Sequence, residues 1–314
     1  MPDTLTEDAL FGVARSISGR TWRMRPVPAR IAEAISQALG VPEIVGRVLA
    51  GRGVDVDSAA DYLNPSLRTF MPDPYALADM AVAAERVADA IMAGEQTAVF
   101  GDYDVDGATS SALLKHFFEA AGGHLQIYIP DRITEGYGPN APALLGLKEA
   151  GVSLVLTVDC GVSAYEPLAE ARAAGLDVIV VDHHQAEPRL PEAVAAVNPN
   201  RLDDDSGLGY LAAVGVTYLL VVAVNRLLRD RGWYGTTRPE PNLLDWLDLV
   251  ALGTVCDVVP LTGLNRALTA QGLKVMARRR NPGLAALADV ARLDERPGTY
   301  HLGFVMGPRV NAGG

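Results

Sequence analysis

The sequence predicts an α/β fold: a parallel β-sheet with helices on both faces, preceded by a helical N-terminal extension and followed by the start of a helical connection. Two observations predict it. Short apolar runs of strand character alternate with stretches of helical spacing between residues 97 and 197, the signature of strands joined by crossover helices. Aspartates and histidines collect directly after those runs, where an open parallel sheet binds its ligands. With 314 residues, 49% of them hydrophobic, the chain is long and apolar enough to bury such a core.

Residues 1–75 read as the helical extension, with a short amphipathic stretch at 31–39 and a second helix at 41–49, around Pro42. YLNPSLRTFMPDPYAL, at 62–77, is rich in prolines and small polar residues and reads as an extended, turn-rich connection. Residues 76–260 form the sheet domain. A helix at 80–92 leads into strands at 97–100, 125–129, 152–158 and 177–181, with a short fifth at 194–197. Between the first four lie helices at 108–120, 142–150 and 164–173. Strand signals then fade, and 210–228, 243–252 and 265–278 read as helices. Residues 261–314 form the helical connection.

Composition narrows the function. The longest apolar stretches are interrupted too soon to cross a bilayer, which takes about 20 residues. The opening MPDTLTEDALFG has acids where an export signal has bases, so a cytoplasmic location without membrane contact is expected. Two cysteines, Cys160 and Cys256, make neither a disulfide framework nor a zinc ribbon. Both read as small buried residues. The net charge of −11 opposes simple DNA binding, although carboxylates that hold cations count as negative only in the empty protein. Arg15, Arg20, Arg23, Arg25 and Arg30 lie in an acid-free run at 9–32, which reads as a solvated arm or as a nucleic-acid contact. Arg278, Arg279 and Arg280 are placed to oppose a helix dipole at its carboxyl end, with DNA contact the alternative.

The chemistry lies at the strand ends. Gly101-Asp102-Tyr103-Asp104-Val105-Asp106-Gly107 follows the first strand, Asp159-Cys160-Gly161 the third, and Asp182-His183-His184 the fourth. Asp257 ends a long apolar helical stretch in TVCDVVPL. Carboxylates and imidazoles converging from separate strands suit a manganese- or magnesium-type cluster. An EF-hand is excluded, because the position that should be a bidentate glutamate is Leu113. A dinucleotide-binding fold is excluded too, since no Gly-x-Gly-x-x-Gly follows the first strand. His116, His124 and His301 lack such company and read as structural or surface residues. In the loop after the second strand, Arg132 is suited to a phosphate, and Tyr137 either to a base face or to bracing the loop.

Those segments resemble the RecJ family of single-strand-specific DNA exonucleases, within the DHH phosphoesterase superfamily. The resemblance runs through YLNPSL (62–67), VFGDYDVDG (99–107), PDRITEGYG (130–138), TVDCGV (157–162), VDHH (181–184), GYLAAVGVTYLL (209–220), TVCDVVPL (254–261) and GPRVNAGG (307–314). It implies 5′-to-3′ hydrolysis of single-stranded DNA in repair and recombination, with two divalent cations, Mn2+ or Mg2+. It further implies that Asp104 and Asp106 serve different cations, that Asp159 bridges them, and that His183 and Asp257 complete the ligands of the second cation, with Asp102 on the first. Asp182 is expected to orient the histidines, His184 to stabilise a phosphoryl oxygen, and Arg309 and Asn311 to lie near the DNA. Implied partners are a single-stranded-DNA-binding protein and a RecQ-type helicase.

An alternative within the superfamily acts on cyclic dinucleotides, very short oligonucleotides or pyrophosphate; the YLNPSL extension disfavours it. A non-catalytic scaffold would be expected to have lost site residues, and none is replaced here. Relatives of this kind are expected to continue into a second, DHH-associated catalytic lobe and a nucleic-acid-binding barrel. On that reading the present chain should bind metal and degrade DNA poorly.

Overall fold

The computed structural model describes residues 9–23 and 26–313, so Arg25 of the basic run and Gly314 of the last motif lie outside the described residues. The chain divides into two compact units, Met1–Pro65 and Ser66–Gly314. The expected boundary at 75 falls ten residues later than this division. The reason is packing: Leu67, Phe70 and Met71 lie against the main core of the second unit.

Among the described residues, the first unit holds a 3-10 turn (Leu10–Gly12) and three α-helices, α1 (Ala29–Leu39), α2 (Glu43–Ala50) and α3 (Val56–Leu63). They bury a small cluster of Ala32, Ile35, Leu49, Ala50, Val54 and Ala59. Helix α3 starts where the Asp55 carboxylate accepts the Ser58 amide, and it was covered only by the broad expectation of a helical extension.

The second unit is built on five parallel strands in the order β2-β1-β3-β4-β5, with β1 Gln96–Gly101, β2 His124–Tyr128, β3 Leu154–Val158, β4 Asp177–Val181 and β5 Ala195–Val197. All five correspond to expected strands. Within the expected irregular connection, Ser66 caps a short helix α4 (Leu67–Phe70). Helices α5 (Met80–Ala93), α6 (Val105–Ala121), α7 (Ala141–Glu149), α8 (Tyr165–Ala173), α9 (Ala213–Asp230), α10 (Leu247–Cys256) and α11 (Gly263–Met276) follow near their expected positions. Two further elements were covered only by the broad expectation of a helical connection. One is α12 (Pro282–Val290), started by an Asn281 cap and Pro282. The other is a final run of α13 (Thr299–His301), a π-helical stretch (Leu302–Met306) and α14 (Gly307–Asn311).

The pleat sends alternate strand residues to opposite faces. Val99, Leu156, Val158, Ile179 and Val181 enter one core with α5, α6 and α9. Ala98, Phe100, Val155, Val178 and Val180 enter the other, under α7 and α8. Phe117 and Phe118 of α6 are fully buried, each contributing about 1.5–3 kcal/mol. With both faces covered, the polar ligand-bearing residues have one outlet, the carboxyl ends of the central strands.

Candidate metal centre

The parallel register builds the site. Gly101 pairs with Val158, and Val158 with Val181, so the next residue on each strand is an aspartate: Asp102, Asp159 and Asp182. The ladder continues through them, since the Asp102 amide donates to Val158 O (3.2 Å) and the Asp159 amide to Val181 O (3.1 Å). Beyond that row the strands turn away. Asp159 lies in the left-handed region (φ 60°), a conformation aspartate tolerates better than most residues.

Asp104 caps α6, its Oδ1 accepting the amides of Asp106 (2.9 Å) and Gly107 (3.0 Å). A Cβ on Gly107 would sit 2.4 Å from Asp102 O, so only glycine lets the helix start this close to the strand end. Asp106 is buried, and its two oxygens accept the Ala213 (2.6 Å) and Val214 (2.8 Å) amides at the start of α9. Asp257 caps the carboxyl end of α10, where the helix dipole disfavours a negative charge. Val258 beside it is a β-branched residue at φ 63°, a strained backbone of the kind that clusters at functional sites.

His183 offers one lone pair to the cluster. Its Nδ1 faces the Leu211 carbonyl at 3.1 Å, and because a carbonyl only accepts, Nδ1 carries the proton. Nε2 is then left as an acceptor, 3.3 Å from Asp159 Oδ1. Neither atom has a hydrogen-bond partner, nor have Asp102 Oδ1 and Asp257 Oδ2, and all four are buried. Burial pushes the Asp159 carboxyl up to about 10 and Asp102 up to about 6, and the charge of Asp104 adds to both shifts. Asp106 and Asp257 are raised for the same first reason, burial, and then by neighbouring carboxylates.

These atoms fit cations. The ligand atoms of Asp102, Asp104 and Asp159 lie within 4.8 Å of one another, as do those of Asp106, His183 and Asp257, and those of Asp159, His183 and His184. Carboxylate oxygens with imidazole nitrogen, and no thiolate, suit Mn2+ or Mg2+. The two cysteines are not ligands: Cys160 is buried with its thiol toward the Phe100 and Val158 carbonyls, and Cys256 points at Leu302 O.

Asp182 takes another part. It accepts the His183, His184 and Val162 amides and bonds His184 Nδ1 at 2.7 Å. Burial alone would raise its pKa, but the His184 contact and those amides pull it below the usual value, and the same contact raises that of His184. His184, half exposed, faces the open side of the cluster next to Tyr137.

Beside the cations' place runs an aromatic wall. The Tyr137 hydroxyl donates to Asp159 O (3.1 Å), its ring lies against Tyr103 (6.5 Å), and the Arg132 guanidinium sits 4.9 Å from the Tyr103 ring. Tyr103 was not singled out from the sequence, although an aromatic between two acids was a usable signal. Also unforeseen were the backbone groups of 211–214, and Asn198 and Asn200, whose amides donate to the His184 and His183 carbonyls.

Two residues expected on the DNA side, Arg309 and Asn311, are not among the grouped ligand residues. Arg309 Nη1 donates to Val305 O of the preceding π-helical stretch (2.6 Å), and Asn311 Oδ1 accepts the Val105 amide (3.0 Å). Arg279 ties the exit of α11 to α12 through Ala285 O and Asp289. His116 stacks on Trp246, and His301 pairs with Glu295.

The chain belongs to the DHH family, whose N-terminal domain matches residues 96–254. The single-stranded-DNA-specific exonuclease RecJ of Salmonella typhimurium is 39% identical over 278 residues, which cover 87% of this chain and 48% of that protein. A solved structure of exonuclease RecJ bound to manganese is 34% identical (TM-score 0.66; 75% of this chain, 57% of that one). RecJ from Thermus thermophilus in complex with Mn2+ is 29% identical (TM-score 0.74; 92% and 39%). The chain spans about half the length of the curated relatives it matches. Among the described residues, no helix is long and apolar enough to cross a membrane.

Proposed function

We propose that the chain is the DHH part of a metal-dependent exonuclease that hydrolyses single-stranded DNA in the 5′-to-3′ direction, in repair and recombination. One cation would be held by Asp102, Asp104 and Asp159, and a second by Asp106, His183 and Asp257, with Asp159 reaching both. The observation that carries the metal reading is the set of four buried ligand atoms without a hydrogen-bond partner. Buried polar atoms are rarely left so, and a pair of cations held in these two sets would answer all four. The nucleic-acid reading is supported by the exonucleases named above and by the wall of Arg132, Tyr103 and Tyr137 beside the cluster.

When bound, a pair of divalent cations lowers the pKa of a water and draws charge from the phosphate oxygens. The protein's own groups orient the substrate. His184, held by Asp182 and with its pKa raised, presents a proton on Nε2 to a phosphoryl oxygen at the open side. Arg132 offers a forked donor to a neighbouring phosphate, Tyr103 and Tyr137 offer faces to bases, and Arg309 keeps further guanidinium donors for the backbone. The Ala213 and Val214 amides fix Asp106, so the ligand does not swing with the substrate. A cytoplasmic setting, with a single-stranded-DNA-binding protein and a RecQ-type helicase as partners, belongs to the same reading.

The test uses fluorescent single strands labelled at the 5′ or the 3′ end, a matched duplex and a linear dinucleotide, each with Mn2+ or with EDTA. Slow shortening of the single strand from its 5′ end, with Mn2+ and not with EDTA, is the expected result. Hydrolysis confined to the dinucleotide would replace this reading with a small-molecule phosphodiesterase.

A further inference from the structure

The first turn of α6 carries two ligand-bearing residues, and its backbone donors are shared out unequally. Asp104 satisfies the second and third helical amides, those of Asp106 and Gly107. The Ala108 amide begins the helical pattern by donating to Asp104 O. The first helical amide, that of buried Val105, is out of reach of the cap. It donates to Asn311 Oδ1 at 3.0 Å, from 206 residues away.

The same terminal helix also meets the other ligand-bearing helix. Leu302 O receives the Cys256 thiol at 3.4 Å, one residue before Asp257. A Cβ on Gly307 would lie 2.4 Å from Cys256 Sγ, so the π-helical stretch and α14 press directly on the end of α10. Leu302 and Met306 share one apolar cluster with Val105 and Leu252. The π-helical stretch and α14 together thus brace the backbone beside Asp104 and Asp106 on one side and beside Asp257 on the other.

We infer that Asn311 is a positioning residue for the cation site, acting through the Val105 amide rather than by touching DNA. This rests on the two-cation reading. Asp104 must hold its cap with Oδ1 and keep Oδ2 for a cation, which requires the first turn to stay seated. With the Val105 amide unsatisfied, that turn shifts, and Asp104 and Asp106 leave their common geometry. A partner bonded directly to a metal ligand is worth about 10–100-fold in metal affinity, and Asn311, one bond further out, is expected at the lower end of that range.

The experiment is a calorimetric Mn2+ titration of the full chain, its Asn311→Leu and its Asn311→Asp variants, with thermal unfolding of each in EDTA. Leucine keeps the volume and removes the acceptor; aspartate keeps an acceptor at the same reach. The expected result is a Mn2+ Kd raised about 10-fold by leucine and left near the wild-type value by aspartate. A leucine variant that melts earlier in EDTA but binds Mn2+ unchanged would show a role in the fold alone and overturn the inference, as would aspartate binding as weakly as leucine. If leucine prevents folding, Asn311→Ser, whose oxygen is too short to reach Val105, takes its place. Failure of the wild type to take up any Mn2+ would instead sink the two-cation reading itself.

Discussion

Asp102 and Asp159 stand side by side on neighbouring parallel strands, one residue beyond the paired rung Gly101↔Val158. A parallel ladder is evenly spaced, so two acids in register are held close for as long as the sheet is intact. Each resists ionising: burial lifts Asp102 to about 6 and Asp159 to about 10, and Asp104 adds its charge against both. An arrangement that costs stability when empty is what a cation site requires.

Asp159→Ala is expected to abolish paired cation binding, because among the described residues Asp159 alone shares a ligand set both with Asp102 and Asp104 and with His183. Asp102→Ala should weaken one site and leave the other. Calorimetric Mn2+ stoichiometry distinguishes them: two ions bound by Asp159→Ala would refute the bridging role.

The metal-free protein should lose stability as pH rises. Asp102 and Asp159 hold their protons more tightly folded than unfolded, where a carboxyl titrates near its ordinary value of 3.8. Their contribution is complete below about 4 and is lost as pH climbs, through about 6 for Asp102 and toward about 10 for Asp159. Melting temperature in EDTA should therefore fall between about pH 5 and about 8, and saturating Mn2+ should flatten that slope. A flat profile in EDTA would contradict it.

His184→Ala is expected to lower turnover by about 10²-fold, the scale for removing one donor to a developing anion, while Mn2+ affinity changes little. Asp182→Asn should impair both, since it disturbs the loop that carries both histidines. Paired kinetics and calorimetry on the two variants separate the roles.

Gly253→Ala should destabilise the second unit by about 1–3 kcal/mol. Its methyl group would meet Thr109 Oγ1 at 2.3 Å, Val214 Cγ1 at 2.8 Å and Asp106 Oδ1 at 3.0 Å. Denaturant unfolding in EDTA measures the loss, and weaker Mn2+ binding should accompany it because Asp106 is displaced.

Arg132→Ala should raise KM for single-stranded DNA and flatten its salt dependence, with kcat held, if the guanidinium meets a phosphate. Tyr137→Phe, which keeps the ring and loses the bond to Asp159 O, should act on kcat instead.

Much of this could be read along the chain. Strands β1, β3, β4 and β5 were legible because each is a short, largely apolar run buried on both faces. The edge strand β2, buried only at Leu125, was legible from its place in the strand–helix alternation. The acids were legible because strand ends in a parallel sheet share one rim. Helices α12 and α14 were less so, since they are short and owe their place to tertiary packing. Asn311 was the instructive case: the sequence offered it as a DNA contact, whereas the structure places its side chain on a backbone amide 206 residues away.

The sequence by itself determined the fold class, the rim on which the acids gather and the oxygen-and-imidazole chemistry they offer, because these follow from side-chain type and local periodicity. Tertiary structure alone decided the rest: which aspartates share a ligand set, which nitrogen of His183 is free, and what holds Asp106 and Val105 in place. Those depend on strand register and on helix ends meeting across more than a hundred residues, and no local pattern of apolar and polar residues encodes such a meeting.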